Sequence, residues 1–281
     1  MSAGNHAAVD LTGQVALVTG GGRGLGRAFA VALGKSGASV VVTARTAAAV
    51  AETVEIIERA GGRALAMVGD VAEPHGAAET VAAAESRLGP LDILVNNAGI
   101  TGPLGHDWTA DAGDWWRTFE TNMRGPFLYA QAVLPRMIAR RRGRIVNISS
   151  GAAIGRLPLM AVYGATKAAL TQWTTGLAAE IETYGVSVFA YAPGFVVTPA
   201  TEHLAGSPDV PTETGDFFRA FLKDGRDTPI TRSTEVLLFL LSGKADALSG
   251  RFIHAKDDEA ALVRRADEVR RDNLHVLTVR K

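Results

Sequence analysis

No cysteine occurs anywhere in the 281 residues. Disulfides, thiolate nucleophiles and Cys-ligated zinc are thereby excluded, and an intracellular, cytoplasmic setting is the expectation. An excess of charge of one sign is missing too, since 29 basic residues face 29 acidic ones. The chain has no global pull toward nucleic acid or an anionic membrane surface. Its only tight basic run, residues 140–142, suits a solvated turn between a helix and a strand. No uninterrupted apolar stretch approaches the roughly 20 residues of a membrane helix. The nearest, "SVFAYAPGFVV", is broken by Pro193 and Gly194. The opening "MSAGNHAAVDLTGQ" lacks a basic segment followed by an apolar one, so no signal peptide is expected. The six histidines show no ligand spacing with one another or with carboxylates, and no metal site is expected.

What is present is a rhythm. Hydrophobic residues make up 47% of the chain, enough for a full α/β core. Short apolar runs such as "VALVT", "SVVVT", "RALAMVG", "LDILVNN", "GRIVNISS" and "VSVFAYAPG" alternate with longer helical patterns, one of them running from about residue 114 to 142. Strands that are apolar throughout, separated by helices, predict a parallel sheet covered on both faces. No internal repeat or linker tract interrupts this, so one domain over 1–281 is expected, with its core in about 9–255.

"TGGGRGLG", residues 19–26, falls directly after the first predicted strand and opens the first helix. Gly20, Gly24 and Gly26 allow a sharp turn and a close backbone approach to a ligand. The helix start beyond them offers free N–H groups to a pyrophosphate. At the end of the second strand an acid would hydrogen-bond the ribose hydroxyls of NAD(H). The sequence has "VVVTART" there, with Ala44 at the acid's place and Arg45 after it, and Arg23 inside the glycine turn adds a second guanidinium. Two cations and no acid suit an adenosine 2′-phosphate, so NADP(H) is favoured over NAD(H). Asp70 in "GDV" stands where a carboxylate could hold the adenine edge. "YGATK" places Tyr163 and Lys167 four residues apart on one helix face, where an ammonium would lower the phenol's pKa.

These pieces, with "NNAG" at 96–99, "TN" at Thr121 and Asn122, "NISS" ending at Ser150, and "PGFVVT" at 193–198, occur in the order and spacing of the short-chain dehydrogenase/reductase family, which the chain resembles over roughly residues 9–255. The resemblance implies a Rossmann-type, doubly wound parallel sheet of about seven strands with helices on both faces. It implies hydride transfer between a nicotinamide and a carbonyl/secondary-alcohol pair. Ser150 would hydrogen-bond the substrate oxygen and Tyr163 would exchange its proton. Lys167 would tune the phenol and hold the nicotinamide ribose, and Asn122 would anchor a water on a proton relay. By the same resemblance the cofactor would be lined by Gly20, Arg23, Gly24, Leu25, Gly26, Arg45, Asp70, Val71, Asn97, Ala98, Gly99, Tyr163, Lys167, Pro193, Gly194, Val196 and Thr198. A homodimer or homotetramer is expected, with a small-molecule substrate and neither nucleic acid nor membrane as partner.

Two regions depart from the strand–helix rhythm, and the second also departs from the family pattern. Residues 200–230, rich in Pro, Gly, Thr and Asp around one amphipathic piece, would form a lid. The last predicted strand ends in "HAKDDE" rather than an Asp-Gly-Gly turn, and a charged amphipathic tail over about 256–281 follows, expected to lie along the surface, with a helix over the substrate mouth as the alternative. Candidate pocket segments are mostly apolar: residues 100–108 and 152–159, Phe195, and Phe217, Phe218 and Phe221 of the lid. They suit an apolar or aromatic ketone better than a sugar or a charged acid. Trp115, Trp116 and Trp173 are expected to pack helices. The leading expectation is NADPH-dependent ketone reduction. NAD-dependent alcohol oxidation and a cofactor-sensing protein without chemistry are the alternatives.

Overall fold

The structure, a computed structural model, describes residues 9–279; the first eight residues, within the segment read for a signal peptide, and the last two of the tail lie outside them. Seven strands form one sheet: β1 (Val15–Thr19), β2 (Ser39–Ala44), β3 (Arg63–Val68), β4 (Ile93–Asn96), β5 (Gly143–Ile148), β6 (Val186–Ala192) and β7 (Phe252–His254). Their order is β3-β2-β1-β4-β5-β6-β7, and every pairing is parallel, as expected.

Apolarity on both sides of each strand explains the layering. On β1, Ala16 and Val18 face one side while Val15 and Leu17 face the other, as successive side chains must. The first face is covered by α1 (Gly24–Lys35), α2 (Ala47–Arg59) and α9 (Ile230–Leu241). The second is covered by α3 (Gly76–Leu88), α5 (Gly125–Arg140) and α6 (Ala161–Ile181). The order reverses where β1 meets β4, with Ala16 beside Ile93 and Val18 beside Val95. Crevices at such reversals, outside the carboxyl ends of the strands, bind ligands in folds of this kind.

Three elements differ from the sequence reading. The long helical pattern before β5 divides into α4 (Ala112–Phe119), a π-helical turn (Glu120–Arg124) and α5. In the lid segment the chain forms two helices, α7 (Pro199–Gly206) and α8 (Thr212–Lys223), rather than one amphipathic piece.

The tail does not lie along the surface. It folds into α10 (Glu259–Arg264) and α11 (Ala266–Arg271), whose Leu262, Ala266 and Val269 are buried in the same apolar layer as α1 and α9. Its apolar residues can be withdrawn from water only where the main layer has room, which neither composition nor period reveals. Beyond α11 the chain returns along β7, and Phe252 N–H donates to the carbonyl of His275 (2.7 Å), pairing a backbone group of the edge strand.

Candidate active site

A cavity of about 900 Å³ opens at the carboxyl edge of the sheet. At one end lies the glycine turn. Gly20 and Gly24 have φ of 65° and 52°, which a Cβ would oppose. A Cβ on Gly26 would stand 2.3 Å from the Gly20 carbonyl oxygen, so only glycine lets α1 pack this closely on the turn. Asn97 braces the turn by donating from Nδ2 to the Thr19 carbonyl (2.9 Å), while Thr19 Oγ1 accepts from the N–H groups of Asn97 and Ala98. Arg27, which the sequence reading did not single out, grips the Gly22 carbonyl and is itself held by Glu52. Arg23 precedes α1 in extended conformation, no side chain caps the helix, and its first turn holds no acid. The first N–H groups of α1 are thus left for an anion, which fits the diphosphate of a dinucleotide.

Arg23 and Arg45 both line this end and both are exposed. Asp70, expected to hold the adenine edge, is already engaged. Its Oδ1 accepts from Ala72 N–H (3.0 Å), and its Oδ2 faces Arg117 (3.3 Å) and Arg45 (4.0 Å). Arg117 comes from α4, 47 residues later, and no local pattern announces it.

The carboxyl ends of β5 and β6 and the start of α6 supply the other end. Lys167 is 4% exposed, and its Nζ donates to the Ile148 carbonyl (2.8 Å) from 5.7 Å off the Tyr163 ring centre. Burial without a carboxylate pulls its pKa down to about 8. The Tyr163 phenol departs from the sequence expectation. Burial raises its pKa above the ordinary value, and the Ser150 hydroxyl draws it part of the way back. One helical turn of separation does place the ammonium near the ring, but the shift follows from withdrawal of the phenol from water, opposed by Ser150.

Ser149 and Ser150 are separated by their partners. Both border the cavity, but Ser149 Oγ is buried against Thr171 Oγ1 (2.7 Å), whereas Ser150, the more open of the two, has its Oγ accepting from Ala152 N–H (3.1 Å). Asn122 stands behind the wall, fully buried on the π-helical turn. Its Oδ1 accepts from Ile100 N–H (2.8 Å), and its Nδ2 donates to the Ile100 carbonyl (2.8 Å) and to Thr166 Oγ1 (3.0 Å). Thr166 Oγ1 in turn donates to the Tyr163 carbonyl, so Asn122 ties the strand β4 exit to α6. A Cβ on Gly99 would lie 3.2 Å from Asn122 Oδ1 and 3.5 Å from Lys167 Nζ, which puts both groups around that glycine.

All seventeen residues expected around the cofactor line the one cavity, together with Ser150. Thr198 also holds the local fold, because its hydroxyl accepts from Thr201 N–H (3.3 Å) and caps α7. Phe217 and Phe218 line the cavity and pack in one cluster with Phe195, Leu204 and Met160, so they serve wall and core at once, and Phe221 lines it against the rings of Phe195 and Phe217. Trp115 and Trp116 stack with Phe119, and Trp173 meets Phe127 edge-on; none lines the cavity. Among the described residues no group of His, Asp and Glu could hold a metal ion, and no helix is long and apolar enough to cross a membrane.

Residues 14–208 match the family model described as short chain dehydrogenase. The chain belongs to that family. A short chain dehydrogenase of Pseudocercospora fijiensis is 34% identical over 96% of this chain and 90% of its own. The crystal structure of F189W actinorhodin polyketide ketoreductase with NADPH is similar at a TM-score of 0.78 and 34% identity, over 86% of this chain and 95% of that one. A 7α-hydroxysteroid dehydrogenase complexed with NADH and 7-oxo glycochenodeoxycholic acid is similar at 0.80 and 30%, over 88% and 94%. As a short-chain dehydrogenase, the protein is an oxidoreductase acting on CH–OH/C=O groups with a nicotinamide cofactor. Both nicotinamide forms occur among these relatives, so the choice between them turns on this chain's own residues.

Proposed function

We propose that the protein is an NADPH-dependent reductase of a ketone with an apolar body, with segment 200–230 as its lid. The observation that carries this reading is the polarity of the cavity: Arg23 and Arg45 at one end with no acid at Ala44, and Ser150, Tyr163 and Lys167 beneath an aromatic wall at the other. Gly20, Gly24 and the N-terminus of α1 would hold the diphosphate, and the two guanidiniums would hold the 2′-phosphate. When bound, NADPH supplies the hydride to the carbonyl carbon.

The chain's own groups manage the proton. Ser150 Oγ hydrogen-bonds the carbonyl oxygen and orients it. Tyr163, whose raised pKa keeps it protonated at neutral pH, donates its proton to that oxygen as charge develops. The Lys167 ammonium, close to the ring, then stabilises the phenolate left behind. Asn122 acts by position, fixing the start of α6 so that Tyr163 and Ser150 share one side of the cavity. The phenylalanine wall excludes water and accepts the substrate's apolar part.

We also infer a homodimer or homotetramer, with the α4–α6 face as interface; it leaves Trp116 59% and Phe127 42% exposed. The functional reading is tested by assaying a ketone panel with NADPH and NADH. Reduction with NADPH preferred is the expected result, and a preference for NADH would overturn the Arg23/Arg45 assignment.

A further inference from the structure

Four cationic side chains line the cavity, Arg23, Arg45, Arg156 and Lys167, against the single carboxylate of Asp70. Arg45 faces Asp70, and Lys167 donates to Ile148. The guanidiniums of Arg23 and Arg156 have no protein partner among the described residues. Arg23 belongs to the glycine turn, where the nucleotide phosphates would answer it. Arg156 lies six residues beyond Ser150, exposed to solvent at the rim beside Leu157 of the apolar wall, and no acid lines that end.

The loop that carries Arg156 is held at both ends. Ser150 Oγ accepts from Ala152 N–H, and Gly155 N–H donates to the Gly151 carbonyl (2.9 Å). Further on, the Pro158 carbonyl accepts from the buried Thr214 Oγ1 (3.1 Å) of α8, and the Leu159 carbonyl accepts from Gly105 N–H (3.0 Å). Leu159 takes a φ of 55°, which a branched side chain resists, so its surroundings impose that conformation. Arg156 therefore projects from a fixed rim.

We propose that the substrate is a ketone bearing a carboxylate at the far end of its apolar body, with Arg156 holding that carboxylate. This rests on the reductase reading of the same cavity. A guanidinium presents two parallel N–H groups that match a carboxylate's two oxygens. The aromatic wall takes the segment between, and Ser150 and Tyr163 meet the carbonyl. The sequence reading set a charged acid aside because the apolar residues around Arg156 dominate that stretch; that the arginine has no partner emerges only in three dimensions.

The full chain with NADPH is assayed on para-acetylbenzoate and benzoylbutyrate, each beside its methyl ester and amide, in wild type and Arg156→Gln. Wild type is expected to favour the acid of at least one series by about tenfold in kcat/KM, mainly through KM. Arg156→Gln is expected to erase that preference while leaving the esters within about twofold. Calorimetry of phenylbutyrate against phenylbutyramide, on the protein with NADP⁺, gives a readout free of turnover, with the acid's advantage lost in the variant. Equal use of acid and ester by wild type, a preference that survives in Arg156→Gln, or an equal loss for both would overturn the inference while leaving the reductase intact. If no ketone turns over but phenylbutyrate binds through Arg156, the carboxylate site stands and the reductase reading falls.

Discussion

Lys167 and Arg232 are both cations drawn into the protein, and they meet opposite surroundings. Lys167 has one carbonyl as its partner, and burial lowers its pKa to about 8. Arg232, on α9, is gripped by both oxygens of Glu259 (2.9 and 2.6 Å) and by the carbonyls of Ala255 and Asp257. Those Glu259 hydrogen bonds raise its pKa. Glu259 is itself 3% exposed, so the pair anchors the tail from inside. An ammonium left short of partners opposes folding but stands ready to answer a developing negative charge. A fully partnered guanidinium cannot respond in that way, and it holds structure instead.

The sharpest way to test the contrast is at the phenol that Lys167 serves. Tyr163→Phe is expected to lower kcat by about a thousandfold while NADPH affinity, read by fluorescence, and the thermal midpoint stay as in wild type. Retention of a tenth or more of the activity would end the proton-donor assignment.

Next comes Lys167→Met, expected to cost about a hundredfold in kcat/KM. In wild type the reductive kcat/KM is expected to fall as pH rises through about 8, where the buried ammonium loses its proton, and the variant should lack that step. The stability effect has a definite sign. The folded chain releases this proton near pH 8 and the unfolded chain near 10.5. The cost of burying the charge is therefore full below about 8 and fades as pH rises toward 10.5. The midpoint of wild type, measured relative to Lys167→Met, should accordingly improve between those pH values.

Glu259→Gln breaks the other member of the comparison. It leaves the part-buried Arg232 without its counter-charge and is expected to cost about 2 kcal/mol in urea unfolding, with kcat/KM unchanged within about twofold. An equal loss of activity would mean that the tail reaches the active site after all. The smallest effect is expected from Arg45→Ala. It should reduce the NADPH-over-NADH preference by about tenfold at most, since Arg45 is 63% exposed on its side chain and already shares Asp70.

Legibility differed between these regions for physical reasons. The strand–helix alternation was plain because a parallel sheet covered on both faces requires apolar runs with no polar face. The glycine turn could be read because Gly20 and Gly24 take conformations other residues avoid. The cavity lining was legible through the family resemblance, and the structure brings those residues together because their motifs lie at the carboxyl ends of successive strands. Contacts between distant segments stayed hidden: Arg117 reaching Asp70, Thr166 joining Asn122 to α6, and Arg232 closing on Glu259. The tail shows the limit best. Its period revealed an apolar face, and only the packed molecule revealed that Val269 is buried beside α9 rather than spread over the surface.

Composition and local pattern alone determined that this chain folds as a parallel α/β protein covered on both faces, where its tight turn lies, and that a phenol and an amine stand one helical turn apart. Those depend on backbone conformation and near neighbours, which a linear string contains. The doubly wound order and the choice of Ser150 came from the family resemblance. Tertiary structure decided how strongly each group holds its proton, which cations find partners, and where the C-terminal helices go. Each of these depends on distance to groups remote in sequence and on how far water is excluded, and both arise only when the sheet and its covering layers close.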